Sequence, residues 1–208
     1  MATLQALPEN YAAGLRLIDE AHATDPRTTA GQGGSDPMAY ELHYAQKMTK
    51  WLAARCPDAS PTLQLACRAQ HFKRWEIPRS SYPMTRPGYL TWRTKQKAQA
   101  AQQVAELLQS PSITPALATE DVERVAALIR KENLKNDEET QVLEDTACLV
   151  FLDDQFDDFE KRDEIDEEKM IGILRKTWGK MSPKGQELAL GMQLSDRAKS
   201  LIGKALAG

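Results

Sequence analysis

An all-α fold, a single helical domain of about eight helices, is what this sequence predicts from its periodicity and composition. Leu, Ala, Glu, Lys, Gln and Arg recur while Val and Ile are few, which favours helix over sheet. Apolar residues return at three- and four-residue spacing along most of the chain, and no run alternates with period two over a convincing length. At 208 residues, 41% hydrophobic and 27% charged, the chain has the make-up of an ordinary globular protein able to bury one core. No internal repeat is visible. Residues 1–208 therefore read as one domain, with a flexible Gly-rich loop at 26–37 and an acidic connection at 153–168.

Residues 8–25 carry Tyr11, Leu15 and Ile18 at helical spacing behind Pro8, a good first-turn residue. Asp25-Pro26 and the run GQGGSDP break that helix and leave a flexible or ligand-covering loop. A second helix spans 38–55, with Leu42, Ala45, Met48 and Leu52 as its stripe, and Cys56-Pro57 ends it. Pro61 opens a third helix running to about Trp75, on which Arg68, His71 and Trp75 share a face. Ile77-Pro78 stops it, Ser80 to Arg86 is a turn-rich connection, and Pro87 starts a fourth helix reaching about Ser110. Thr119 is the expected N-cap of a fifth helix ending near Asn133, and Asp137 that of a sixth. Between Leu143 and Leu152 the sixth is apolar on all sides, so it crosses the core. Asp166 caps a seventh with Met170, Ile173, Leu174 and Trp178 inward, and Ser182-Pro183 begins an eighth.

Formal net charge is only -3, so bulk charge does not call for nucleic acid or membrane. The first residues lack a basic segment followed by an apolar run, so no secretory leader is expected, and no apolar stretch approaches a bilayer's thickness. Cys56, Cys67 and Cys148 are an odd, scattered set that reads as reduced thiols of a cytoplasmic protein. Acids crowd the stretch from Asp137 to Glu168, which reads as a solvated face.

Cations and rings crowd Ala66 to Arg93, ACRAQHFKRWEIPRSSYPMTRPGYLTWR. Arginine donates in a planar fork and stacks on rings, so a set of forks on a proline-stiffened bend suits an anion or a buried carboxylate. Arg68, Arg74, Arg79, Arg86 and Arg93 are the candidate anion ligands, and Trp75, Tyr82, Tyr89 and Trp92 a stacking wall. His71 joins them as the titratable candidate, to orient a ligand or exchange protons with Glu144 or Asp145. Those two acids carry weight because an unpaired carboxylate in a buried segment costs several kcal/mol, roughly. His22 is expected at the surface, and His43, beside Tyr44, in a core or edge role. Phosphate loop, nucleophile elbow, HExxH pair and EF-hand loop are all absent.

ACRAQHFKRWEIPRSSYPMTRPGYLTWR, VLEDTACLVFL and KTWGKMS closely resemble signatures of family 4202 of domains of unknown function, over about Tyr11 to Leu206. Fungal members of that family are often labelled glutamyl-tRNA synthetase. This chain has no Rossmann-type pattern, HIGH-like motif or KMSKS-like loop, so synthetase activity is not expected; KMSPK at Lys180–Lys184 is a superficial echo. More distantly, LACRAQHFKRW and the approach to Asp145 are similar to the His-Asp helices of HD-domain phosphohydrolases, implying an HD-like helical core and hydrolase ancestry. On that mapping Phe72 stands where the paired aspartate belongs, so no divalent metal or other cofactor is expected.

The expected function is a pocket for a small anionic, phosphate-bearing or nucleotide-like ligand, with metal-independent hydrolysis or group transfer as the natural reaction class if it is an enzyme. A non-catalytic interaction protein with a structural Arg–acid cluster stays open, as does RNA binding. Oligomeric state, substrate and pathway are not legible.

Overall fold

The computed structural model describes residues 2–29, 37–155 and 166–207. Helix α1, Glu9–His22, follows Pro8, and the short strands β1 (Thr28–Thr29) and β2 (Met38–Ala39) pair antiparallel across the base of the Gly-rich loop. Residues 30–36 of that loop and 156–165 of the acidic connection lie outside the described residues. Helix α2 is Tyr40–Arg55, and α3 is Pro61–Arg68, opened by Ser60, whose hydroxyl accepts the Leu63 amide at 3.1 Å. Two short 3-10 turns, Arg74–Glu76 and Arg79–Ser81, lead to α4, Arg86–Leu108, and then α5, Thr119–Arg130. Helix α6, Glu138–Val150, ends in one π-helical turn, Phe151–Gln155. Helices α7 (Glu167–Trp178), α8 (Pro183–Leu190) and α9 (Asp196–Leu206) complete the chain. The fold is all-α apart from the two-residue ribbon.

Asp137, Asp166 and Ser182 cap their helices as expected: each side chain accepts an amide of the first turn. Thr119 does not. It is the first helical residue of α5, and Ala118 before it offers no side-chain cap. The expected eighth helix is two, because Ser195 caps a separate α9.

The third helix differs most from expectation. It stops at Arg68, and His71 and Lys73 take the left-handed region at φ 63° and 47°. The break turns Phe72 into the core (3% exposed), edge-on to His22, and gives the Arg74 amide to Glu41. Continued helix would forfeit both contacts. Arg68, His71 and Trp75 therefore do not share a helical face.

One core, around Ile18, Met48, Leu63, Leu65, Leu128 and Leu143, is shared by α1 to α6. A second, around Leu149, Met170, Leu174, Met181 and Leu201, joins the end of α6 to α7, α8 and α9. Helix α6 crosses from one to the other, as its all-round apolarity predicts, and Trp51 of α2 packs against both.

Candidate functional site

A buried polar relay fixes the bend after α3. His22, with no exposed surface, places Nε2 2.9 Å from the Arg68 carbonyl and Nδ1 3.3 Å from Glu41. That overturns the surface position expected for it: His22 continues the Tyr11, Leu15, Ile18 stripe one turn on. Glu41 accepts the Arg74 amide at 2.7 Å and Arg27 Nη2 at 3.3 Å. Burial raises its carboxyl above the usual range, against the pull of His22 and the Arg74 amide. Asp25 completes the frame, accepting two hydrogen bonds from the Arg27 guanidinium and one from the Glu41 amide.

On this frame Arg74 carries its guanidinium inward. Nη1 donates to His71 Nε2 at 2.9 Å, and the planar group lies 4.9 Å from the centre of the Trp92 ring. His71 stacks on Tyr44 with centroids 4.2 Å apart. Trp92 is held by its indole N–H, which donates to the Ile77 carbonyl at 2.9 Å. Tyr44 is 2% exposed, and its hydroxyl has no hydrogen-bond partner among the described residues; Arg74 and Arg93 act on it electrostatically. Arg74 and Arg93 are half-buried, and neither pairs with a carboxylate among the described residues.

Three lysines border them. Lys97 donates to the Arg130 carbonyl at 3.1 Å, Lys131 reaches Glu144 at 2.5 Å from a left-handed position ending α5, and Lys180 lies 3.7 Å from the same carboxylate. Burial lowers the pKa of Arg74 and Lys97, and like charge from Arg93 lowers both further. Burial also lowers His71 well below its ordinary value, with Arg74, Arg93 and Lys131 adding to the shift. A guanidinium can only donate, and Nη1 also lies 3.4 Å from Nδ1, so the cation rests against both ring nitrogens, a contact that suits a neutral imidazole. Burial pushes Glu144 up, but Lys131, Lys180 and Arg93 outweigh it, and its pKa falls below the usual carboxylate value. This positive cluster, the cradle, holds five cations, Arg74, Arg93, Lys97, Lys131 and Lys180, with Glu144 as the carboxylate paired to its lysines among the described residues.

Other predicted site residues lie elsewhere. Arg68 grips Asp19 with Nε at 2.6 Å and Nη2 at 2.8 Å, and Thr49 with Nη1 at 2.9 Å, so it braces α1 and α2. Arg79 donates to the Tyr82 and Pro83 carbonyls and closes its own bend. Arg86 is exposed, Tyr89 is 45% exposed, and Trp75 and Tyr82 are half-buried. Asp145 accepts from Arg55 Nε at 2.7 Å, the Ser182 amide at 2.7 Å, the Ser182 hydroxyl at 2.5 Å and Gln141 at 3.0 Å. It docks α8 and has no contact with the arginine-rich bend. The convergence of that whole bend with both acids therefore reduces to Arg74, Arg93, His71 and Glu144. Tyr44, Lys97, Lys131, Lys180 and the supporting Glu41 were not singled out by sequence.

Residues 12–202 match the family described as Domain of unknown function (DUF4202). The chain belongs to the DUF4202 family. No curated protein and no solved structure matches it. In this DUF4202 chain, His71 and Asp145, which an HD-type site would bring together, make their contacts in different places. No group of three or more His, Cys, Asp or Glu among the described residues is arranged to hold a metal ion. None of its described helices is long and apolar enough to cross a membrane. Burial pushes the Cys148 thiol up to about 12, so this neighbour of Glu144 is a thiol at neutral pH.

Two hollows in the DUF4202 surface lie away from the cradle. One is apolar, between Leu152, Leu174, Trp178 and Ile202; the other is an open groove along α4 and α5, past Gln109 and Glu123.

Proposed function

We propose that the DUF4202 chain binds a small phosphate-bearing ligand in the cradle of Tyr44, His71, Arg74 and Arg93, with Lys97, Lys131 and Lys180 at its edge. The observation that carries this reading is a set of donors without protein acceptors. Among the described residues, the half-buried Arg74 guanidinium has a neutral imidazole as its one hydrogen-bond partner, the Arg93 guanidinium has none, and the Tyr44 hydroxyl has none. Burying a guanidinium without a counter-charge costs several kcal/mol, roughly, and like charges add to it. A phosphate oxygen accepts from all three groups and offsets that cost.

Binding is favoured over chemistry. His71 lies between the Tyr44 ring and the Arg74 guanidinium, whose Nη1 touches both ring nitrogens, and Glu144 is paired with Lys131, so both are already engaged within the protein. Arg68, Arg79 and Asp145 are braces of the fold.

Thermal unfolding with increasing inorganic phosphate tests the reading, with Arg93→Ala as the control. Phosphate stabilises many proteins by exclusion from their surface, so the difference between the two proteins is the informative quantity. The wild type should gain more in melting temperature than Arg93→Ala. Without phosphate the variant should be at least as stable, since a like charge beside Arg74 is gone. Equal gains in the two proteins would refute the cradle.

A further inference from the structure

The geometry points to a terminal phosphoryl group, the dianion of a phosphomonoester, as the chemistry this cradle takes, in preference to a phosphodiester of a nucleic-acid backbone. The inference rests on the phosphate-binding reading above and narrows it.

Charge is the first argument. Burial and the charge of Arg93 lower the proton affinity of Arg74, burial with Arg93, Lys131 and Lys180 lowers that of Lys97, and Glu144 is the sole carboxylate ion-paired with any of these five cations among the described residues. A diester brings one negative charge; a monoester brings nearly two at neutral pH.

Arrangement is the second. Donors come from separate segments: Tyr44 from α2, Arg74 from the bend and Arg93 from α4. They also lie at graded depth. Tyr44 is 2% exposed, the Lys131 side chain is 12% exposed, and that of Lys180 is 54% exposed. A terminal phosphoryl enters end-on and offers three free oxygens with one ester arm trailing to solvent. A diester offers two oxygens and has two ester arms to route between donors that arrive from three segments.

The pH dependence separates ligand from protein. His71 stacks on Tyr44 and contacts Arg74, with Arg93, Lys131 and His22 also acting on it, and burial holds its pKa well below the ordinary value. Glu144, from α6, is held ionised by Lys131 and Lys180. Glu41, whose carboxyl burial raises, supports the bend behind Arg74, so sulfate serves to report the protein's own titration apart from the ligand's second ionisation, near about pH 6.

Calorimetric titration with phenyl phosphate, dimethyl phosphate and sulfate, each at about pH 5 and about pH 8, tests this. Phenyl phosphate should bind at about pH 8 at least roughly tenfold more tightly than dimethyl phosphate, and weaken about tenfold at about pH 5, where most of the dianion is gone. Sulfate, a dianion at both, should hold its affinity. Tyr44→Phe should cost phenyl phosphate roughly tenfold, with the melting temperature of the ligand-free protein confirming an intact fold. Dimethyl phosphate binding as tightly as phenyl phosphate would leave the cradle standing and overturn the monoester inference. So would sulfate weakening or tightening in step with phenyl phosphate, since the titration would then be the protein's. If neither phenyl phosphate nor sulfate binds, the underlying phosphate reading itself fails.

Discussion

Glu41 shows how one residue sets the geometry of another. Its carboxylate takes the amide of Arg74, the guanidinium of Arg27 and the ring of His22 together, with 1% of its surface exposed. Glu41→Ala should take one acceptor from each of these groups, leave the buried Nδ1 of His22 unpaired and cost about 3 kcal/mol, measured by urea unfolding, because a buried polar group that loses its partner keeps its desolvation cost. Phosphate should then no longer protect the variant, since the bend that aims Arg74 is released. Residue identities at the cradle were partly legible: a dense mix of cations and rings flagged His71, Arg74, Trp92 and Arg93. Their partners were not. Arg68 looks like its neighbours in sequence, yet its carboxylate is Asp19, 49 residues away, and nothing local distinguishes it from Arg74, which has none. His22 was legible and misplaced, for it sits at the next helical step after Ile18 on the buried stripe.

Helix ends are where short sequence signals turn into measurable stability. Asp137 caps α6 through the Thr140 amide at 3.0 Å and takes both terminal nitrogens of Arg124 from α5. The Arg124 hydrogen bonds hold its carboxyl down to about 2. An unfolded aspartate titrates near about 3.9, so its contribution is fully present above that pH and is lost as pH falls towards about 2. Asp137→Asn should lower stability at neutral pH and flatten the acid limb between those values in a pH series of thermal melts. Asp145 does the same work for α8 in a fully buried setting, on Ser182 and Arg55. A Cβ at Gly185 would lie 2.8 Å from the Asp145 carboxyl carbon, so the helix approaches that closely only with glycine there. Asp145→Ala should cost about 3–5 kcal/mol, read from the urea midpoint, with Arg55 left uncompensated. Caps at Asp137, Asp166 and Ser182 were readable because each is one residue making a local bond. The break after Arg68 was not, since Phe72 leaves the helix for a tertiary contact with His22 that propensity does not encode.

The whole molecule is two cores strung on α6. The larger holds α1 to α6 and the smaller holds α7, α8 and α9 against the end of α6, with Asp145 and Trp51 among the groups that tie them. A smaller core buries less apolar surface and opens at lower cost. Hydrogen exchange should therefore show amides of α7 and α9 exchanging before those of α2, α3 and the first turns of α6. Equal protection throughout would mean the two cores unfold as one. All-α class was visible at this scale in composition and periodicity, and the family's extent in the resemblance carried by Ala66–Arg93, Val142–Leu152 and Lys176–Ser182. Division of the core was not, because α6 is apolar on every side and its sequence does not record which neighbour each side meets.

Trp92 gives the cradle its own optical reporter. Its indole carries the Arg74 guanidinium on its face and is 6% exposed, so any molecule that draws Arg74 aside changes the field felt by the chromophore. With Trp51, Trp75 and Trp178 replaced by Phe, the emission of this single ring would let compound collections be screened against the folded variant in solution without label, tag or prior guess at the metabolite.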